Sequence, residues 1–195
     1  MRIGRALLGI VAAATMAAGA SAGLAGTELV SIQDSEGRFL ISVPPTWQVD
    51  GSRRDPAFSA KAPEAPGTAP DTLEIFVRDM LFPLSPEGCA SQVAWVMRMT
   101  IHTWTTLSEG PDTVGGLAAY SRAYTWHLKT GEERRSIQTC APLGRRVFVI
   151  IGTTRNTPSH VARNLADLTR MIATFRPGPA PLPVAPEPRG PATER

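Results

Sequence analysis

The segment Val147-Phe148-Val149-Ile150-Ile151 constrains the fold more than any other part of the sequence. Successive side chains of a strand point to opposite sides, so five consecutive apolar residues make both faces of a strand hydrophobic. Such a strand belongs in the middle of a sheet that is covered on both faces. The sequence therefore predicts a layered domain with this strand near its centre.

Turn residues and alternating patterns predict the other elements of the domain. Gly131 and Gly144 lie in short turns that join the last three strands into an antiparallel meander. Helices are predicted over Ser85–Thr105 and from Thr157 to Thr174, because each begins with a capping residue followed by proline. The predicted strands are Thr27–Gln33, Arg38–Val43, Trp47–Val49, Ala57–Lys61, Thr72–Arg78, Ala118–Leu128, Glu133–Ala141 and Arg146–Thr153.

The first predicted helix has apolar residues on two faces. Trp95, Met99 and His102 recur at i, i+4 and i+7, and an outward Trp–Met pair is an apolar patch that needs a cover. That cover is either the same chain, through the loop 50–71 or a nearby segment, or a protein or peptide partner with Trp95 as the anchor. The opposite face, predicted to pack on the core, consists of Cys89, Val93, Val96, Met97, Thr100 and Trp104.

The N-terminus has the pattern of an export signal. Two arginines within the first five residues precede an uncharged apolar run and the small residues Ala20-Ser21-Ala22. A signal peptide over 1–22 is predicted, with cleavage before Gly23 and a cut after Ala25 as second choice. An uncleaved anchor is the alternative, but the run is rich in Ala and Gly, which makes it a weak membrane span. The predicted location is periplasmic or secreted, without a stable membrane span after cleavage.

The mature chain is nearly neutral, which argues against nucleic acid as a partner. Lys and Arg number 20 against 17 acidic residues, and loss of the two signal arginines leaves 18 against 17, a net charge of +1. No dense basic face is evident, which disfavours nucleic-acid binding. The histidines and cysteines lack the spacing of a metal site, so no metal or cofactor is predicted.

The C-terminal segment 177–195 differs in composition from the rest of the chain. It contains seven prolines and no aromatic residue. A segment of this kind cannot bury a core, so an extended, disordered tail is predicted. The folded domain is then predicted over residues 27–176.

Short motifs of this domain resemble the PsbP-like superfamily, which includes PsbP, the Mog-type proteins and the DcrB-like proteins. They are Phe39-Leu40-Ile41-Ser42-Val43-Pro44-Pro45-Thr46-Trp47, Gly115-Gly116-Leu117-Ala118, and Met171-Ile172-Ala173-Thr174-Phe175. The resemblance implies an α+β fold, an α/β/α sandwich with one central, mostly antiparallel sheet flanked by two main helices. It carries no shared catalytic residues, and the better-known members mostly bind other proteins.

The resemblance also offers a role for Trp47. Pro44 and Pro45 end a strand at the sheet edge, because proline cannot donate to the ladder. The chain then turns so that Trp47 folds back as a plug over the end of the core, with a partner for its indole N–H. The alternative is a surface turn with a half-exposed tryptophan.

Cys89 and Cys140 are the two cysteines of the chain. An even number in an exported protein predicts a disulfide between them. The alternative is a reactive thiol at Cys89, because a position near a helix N-terminus favours the nucleophilic thiolate.

The sequence therefore favours an exported, non-catalytic accessory or interaction protein of the cell envelope. A thiol-dependent enzyme that uses Cys89 is a second hypothesis. A third is a small-molecule or lipid carrier with a pocket between the sheet and the helices. The sequence names neither the partner nor the oligomeric state.

Overall fold

A computed structural model describes residues 28–50, 55–63, 68–101 and 103–179 of the chain. Most strands belong to a seven-stranded antiparallel sheet with the order β3-β4-β5-β9-β8-β7-β6. Its strands are β3 (Gln48–Asp50), β4 (Phe58–Lys61), β5 (Thr72–Asp79), β6 (Thr105–Val114), β7 (Leu117–His127), β8 (Glu133–Leu143) and β9 (Arg146–Arg155).

Strand β9 occupies the central position that its apolar sequence predicts. It pairs with β5 on one side and β8 on the other. Phe148 and Ile150 face one apolar cluster, whereas Val147, Val149 and Ile151 face a second cluster on the opposite side of the sheet. Both faces of the strand are therefore buried.

A second, three-stranded sheet consists of β1 (Val30–Gln33), β2 (Phe39–Val43) and the short β10 (Arg176–Pro177), with β2 in the middle. The sequence predicts one central sheet, whereas the structure has this smaller sheet as well. The prolines after β2 explain why the two sheets are separate. Pro44 and Pro45 end β2, and the backbone N–H of Trp47 donates to the Pro44 carbonyl in a turn. The chain then enters the larger sheet as β3.

Aromatic side chains hold the two sheets together. Phe39 of β2 stacks on Phe175 at a ring-centroid distance of 5.9 Å, and Phe175 contacts Phe148 of β9 edge to face at 5.1 Å. All three rings are buried. Pairs of this geometry stabilise a core beyond the burial of their area.

Helices cover both faces of the larger sheet. Helix α1 (Pro86–Thr100) packs over β7 and β8. A continuous helical segment on the other face contains α2 (Pro158–His160), a π-helical turn (Val161–Leu165) and α3 (Ala166–Ala173). The layered α+β architecture, a largely antiparallel sheet with two main helical segments, is confirmed.

Strand β6 occupies residues that the sequence assigns partly to a helix. The predicted helix runs to Thr105, but α1 ends at Thr100, and Ile101 is already extended. The hydroxyl of Thr100 donates to the Met97 carbonyl at 3.0 Å, which satisfies one terminal acceptor. The β-branched residues that follow favour a strand, so the meander has four strands rather than three.

The folded region extends slightly beyond the predicted boundary at residue 176. Pro177 pairs with Phe39, and the N–H of Gly178 donates to the Arg38 carbonyl at 2.6 Å. The first residues of the predicted tail are therefore part of the smaller sheet. The predicted signal peptide 1–22 and the rest of the tail, 180–195, lie outside the described residues.

The turn between β6 and β7 requires glycine, and its two glycines give a matched test of packing. Both have positive φ, +58° at Gly115 and +79° at Gly116. A Cβ at Gly115 would lie 2.8 Å from the Phe175 carbonyl oxygen and 2.8 Å from Cδ of Pro177, whereas nothing lies within 4 Å of one at Gly116. Gly115 therefore lets the turn pack against the chain that enters β10.

We predict that Gly115→Ala destabilises the fold more than Gly116→Ala. Both variants carry the backbone strain of a positive φ, about 1–2 kcal/mol. Only Gly115→Ala adds a steric clash with backbone, which costs about a further 1–3 kcal/mol. Urea unfolding of the two variants measures the difference, and equal free energies of unfolding would contradict this account of the turn.

Candidate functional site

The N-terminus of α1 is formed by the residues that the sequence indicates. The Ser85 hydroxyl accepts a hydrogen bond from the backbone N–H of Gly88 at 3.0 Å, Pro86 is the first helical residue, and Glu87 lies in the first turn. These features determine where α1 begins, and so they determine that Cys89 lies at its first turn.

Cys89 of α1 and Cys140 of β8 lie at disulfide distance, as predicted. Their Cα atoms are 6.0 Å apart, within the range that a disulfide spans, and both residues are buried. The pair lies in an apolar cluster with Val147, Val149 and Ile151 of β9. In this pairing neither sulfur acts as a thiolate nucleophile.

The face that α1 turns to the sheet differs from the predicted one. The buried residues are Cys89, Ala90 and Ala94, whereas Val96, assigned to the core face by the sequence, is 52% exposed. At about 100° per residue this is a rotation of roughly 50°. The alanines permit close approach to the sheet, and the Ala90 carbonyl accepts a hydrogen bond from Nη1 of buried Arg122.

Two residues of the predicted partner patch lie on the outer face of α1. Trp95 is 66% exposed and Met99 is 68% exposed. The described residues of the same chain therefore leave Trp95 largely uncovered. The third residue, His102, lies outside the described residues.

The rotation of α1 opens an apolar groove beside its exposed face. The groove has a volume of about 330 Å³ and is open to solvent.

 It lies between α1 and strands β5 and β9, because α1 lies mainly over β7 and β8. Met80 also lines the groove, and the chain continues from it into Leu81 and Phe82. Both of these side chains are strongly exposed. The apolar lining is formed by Phe76, Val93, Val96, Met97, Val149 and Ile151.

Trp104 covers a second part of the same sheet face. The sequence places it on the core face of the helix, but it follows the end of α1 and stacks on Tyr124 of β7 at a ring-centroid distance of 3.7 Å. Burial raises the pKa of Tyr124 to about 12. No pattern in the sequence pairs these two rings, because the contact depends on where α1 ends.

Trp47 is half-buried and packs against the main apolar cluster. It also lines a polar cleft near the start of α2. This position is compatible with both sequence interpretations, so the role of Trp47 as a plug over the core stays a prediction.

Neither a metal-ligand cluster nor a helical membrane span occurs in the part of the chain that the structure describes. There, no group of three or more His, Cys, Asp and Glu side chains is arranged to hold a metal ion. No helix in the same ranges is long and apolar enough to cross a membrane. The described histidines have local partners: His127 Nδ1 pairs with the Thr103 hydroxyl and His160 Nδ1 with the Thr157 hydroxyl, each at 2.8 Å.

Comparison with known proteins identifies the fold through structure alone. No protein-family model matches the chain, and no curated protein matches it. The cyanobacterial PsbP protein of Synechocystis, known as CyanoP, is similar with a TM-score of 0.59 at 12% identity, over 82% of this chain and 98% of that one. The fold is PsbP-like.

Two further solved structures share this PsbP-like fold. LpqN of Mycobacterium tuberculosis, described as involved in cell envelope biogenesis, has a TM-score of 0.54 at 13% identity, over 78% of this chain and 91% of its own. The yeast Ran-binding protein Mog1p has a TM-score of 0.51 at 14% identity, over 77% and 95%. At these identities the similarity establishes the fold and leaves function to be argued from the surface.

We predict that Tyr124 makes the folded protein less stable at high pH. Above pH 10 the unfolded tyrosine loses its proton while the folded one retains it up to about pH 12. The native state then binds more protons than the unfolded state, so stability falls as the pH rises through this window. At pH 11 the loss is about 1.4 kcal/mol.

The measurement is urea unfolding of the wild type and Tyr124→Phe at pH 8 and pH 11. The phenylalanine variant lacks this titration, so its stability should fall less between the two values. Equal losses of unfolding free energy in the two proteins would show that burial does not raise the pKa of Tyr124.

Proposed function

We propose that this chain is an exported, non-catalytic accessory protein of the cell envelope that binds a protein partner through α1. The proposal includes the signal peptide 1–22, a folded domain that starts near residue 27, and the Pro-rich tail. The observation that carries it is the exposed pair Trp95 and Met99 beside an apolar groove.

The character of this surface supports a protein as its occupant. Trp95, Val96 and Met99 are all more than half exposed on one helix. Large exposed apolar patches mark interaction sites, and tryptophan is a frequent anchor of protein interfaces. The groove between α1, β5 and β9 offers a place for apolar side chains next to that anchor.

Charges at the edge of the surface indicate which kind of segment would bind. Arg78, which pairs with Asp55 at 2.6 Å, lines the groove. Exposed Arg98 lies one residue from Met99, with its guanidinium 6.0 Å from the Trp104 ring centroid. A partner segment with apolar side chains on one face and acidic residues beside them would complement both features.

The cysteine pair and the similar structures support export and binding. A buried disulfide persists in oxidising compartments such as the periplasm. LpqN is described as acting in cell envelope biogenesis, and Mog1p as binding Ran. The PsbP-like fold thus includes one protein with a role at the cell envelope and one that binds a protein partner.

The competing hypotheses have less support from the described residues. A thiol-dependent enzyme would need Cys89 free, whereas it lies at disulfide distance from Cys140. A lipid carrier would need a deep apolar cavity, whereas the groove beside α1 is open to solvent.

Photocrosslinking in cells that export the protein tests the proposal. We predict that a photoreactive benzoylphenylalanine in place of Trp95 gives one discrete adduct with another protein. The control places the same group at exposed Thr169 of α3, on the opposite face of the sheet, where no such adduct is expected. Identification of the adduct by mass spectrometry names the partner.

A second variant separates specific binding from chance contact. Met99→Glu puts a charge into the apolar surface without touching the core, and it should lower the yield of the Trp95 adduct about tenfold. Equal adducts at positions 95 and 169, no adduct at 95, or an adduct with a second copy of this chain would contradict the proposal.

A further inference from the structure

The loop that joins β5 to α1 carries an apolar tip, which consists of Leu81 and Phe82. Leu81 is 80% exposed and Phe82 is 74% exposed, the two highest values among the large apolar side chains that the structure describes. Single exposed apolar residues are common on protein surfaces. Two adjacent ones at this exposure form a protrusion that little of the described chain covers, so the tip is a candidate contact site.

The apolar tip projects from a loop that is held at both ends. Met80 and Leu84 flank the tip and pack against the apolar cluster around the cysteines. The backbone N–H of Met80 also donates to the Arg145 carbonyl at 2.8 Å. Pro83 fixes its own φ and restricts the backbone of Phe82 to extended conformations. The loop therefore presents the tip outward with little conformational freedom to lose on binding.

An arginine lies at the base of the apolar tip. Arg145 is exposed in the turn between β8 and β9. Its Nε donates to the carbonyl of Met80, the residue before the tip, at 2.9 Å. The guanidinium has no ion-pair partner among the described residues. Its two Nη groups are therefore available to donate to an anion beside the tip.

The other charged side chains near this loop largely balance one another. Arg146 pairs with Asp79 at 3.3 Å, and Arg78 pairs with Asp55 at 2.6 Å. Glu87, in the first turn of α1, adds an exposed carboxylate. The region thus has no large net charge that would select an anionic partner. The apolar tip supplies most of the binding energy of any contact here, and the arginine at its base adds one local interaction.

A lipid surface suits this combination better than a folded protein does. A folded partner needs a pocket shaped for the two protruding side chains, whereas the acyl region of a bilayer accepts apolar side chains of any shape. Proteins that lie on membranes bury apolar residues at the boundary of headgroups and acyl chains, with cationic residues beside them. The planar guanidinium of an arginine at that depth matches the oxygens of a lipid phosphate.

We propose that the loop over residues 80–84 binds the surface of a phospholipid membrane without spanning it. Leu81 and Phe82 enter the boundary between headgroups and acyl chains, and the Nη groups of Arg145 donate to a lipid phosphate. The binding is weak and reversible, because stable anchoring of a protein to a membrane takes more apolar area than two side chains supply. This contact is independent of the protein partner proposed for α1.

The first measurement is flotation of the full mature protein with unilamellar vesicles of phosphatidylethanolamine and a minority of phosphatidylglycerol. We expect saturable binding that Phe82→Glu weakens about tenfold, because a charge at the tip opposes its entry into the apolar layer. Phe82 is exposed, so this variant should fold normally. The matched control is Leu107→Glu, which adds the same charge at an exposed apolar residue of β6 and should leave vesicle binding unchanged. Arg145→Gln should weaken the binding about fivefold.

A photoreactive group at the tip separates a lipid from a protein as the occupant. Benzoylphenylalanine in place of Phe82, irradiated with the same vesicles, should give an adduct heavier by one phospholipid, and the same group at Leu107 should give none. The proposal is overturned by the absence of saturable vesicle binding, by equal binding of Phe82→Glu and the wild type, or by an unaffected Arg145→Gln variant. It is also overturned if position 82 gives no lipid adduct, or crosslinks to a protein instead of lipid in cells that export the chain. None of these results depends on the adduct at position 95.

Discussion

The covalent link between Cys89 and Cys140 is the contact on which the α1 side of the structure depends. The fully buried residues of α1 are that cysteine and two alanines, which offer little apolar area to hold a helix on a sheet. The link closes a loop with a sequence separation of 51 residues, and a disulfide of that kind contributes about 2–4 kcal/mol.

The two faces of the larger sheet are therefore covered in different ways. On one face, the smaller sheet and α3 cover β9. The apolar cluster between them is large and includes Phe39, Phe148 and Phe175. On the other face, the cluster around the cysteines is small, and α1 lies mainly over β7 and β8. The uncovered part beside β5 becomes the apolar groove, and the outer face of the same helix exposes Trp95. The proposed interaction surface follows from this incomplete cover.

The elements with strong local signals could be predicted from the sequence. The apolar run of β9 determines its central place, Ser85 and Pro86 determine the start of α1, and an even cysteine count predicts the disulfide. Helical periodicity alone puts Trp95 and Met99 on a different face of α1 from Cys89, so the sequence predicts that they point outward. These features need no knowledge of distant contacts.

The features that the sequence did not predict depend on contacts between distant segments. The rotation of α1 follows from the fit of Ala90 and Ala94 to the sheet, and the stacking of Trp104 on Tyr124 follows from the early end of the helix. The polar cleft joins residues from four separate segments through the buried ion pair of Asp71 and Arg134. No spacing along the chain brings these residues together.

The most direct test of the account is the intact mass of the natively exported protein after thiol alkylation under non-reducing conditions. The account predicts a chain that starts near Gly23, lacks two hydrogens and carries no alkyl group, because the two cysteines are bonded. One or two alkylated cysteines would contradict it: α1 would then lack its covalent hold on the sheet, and Cys89 would be available as a reactive thiol.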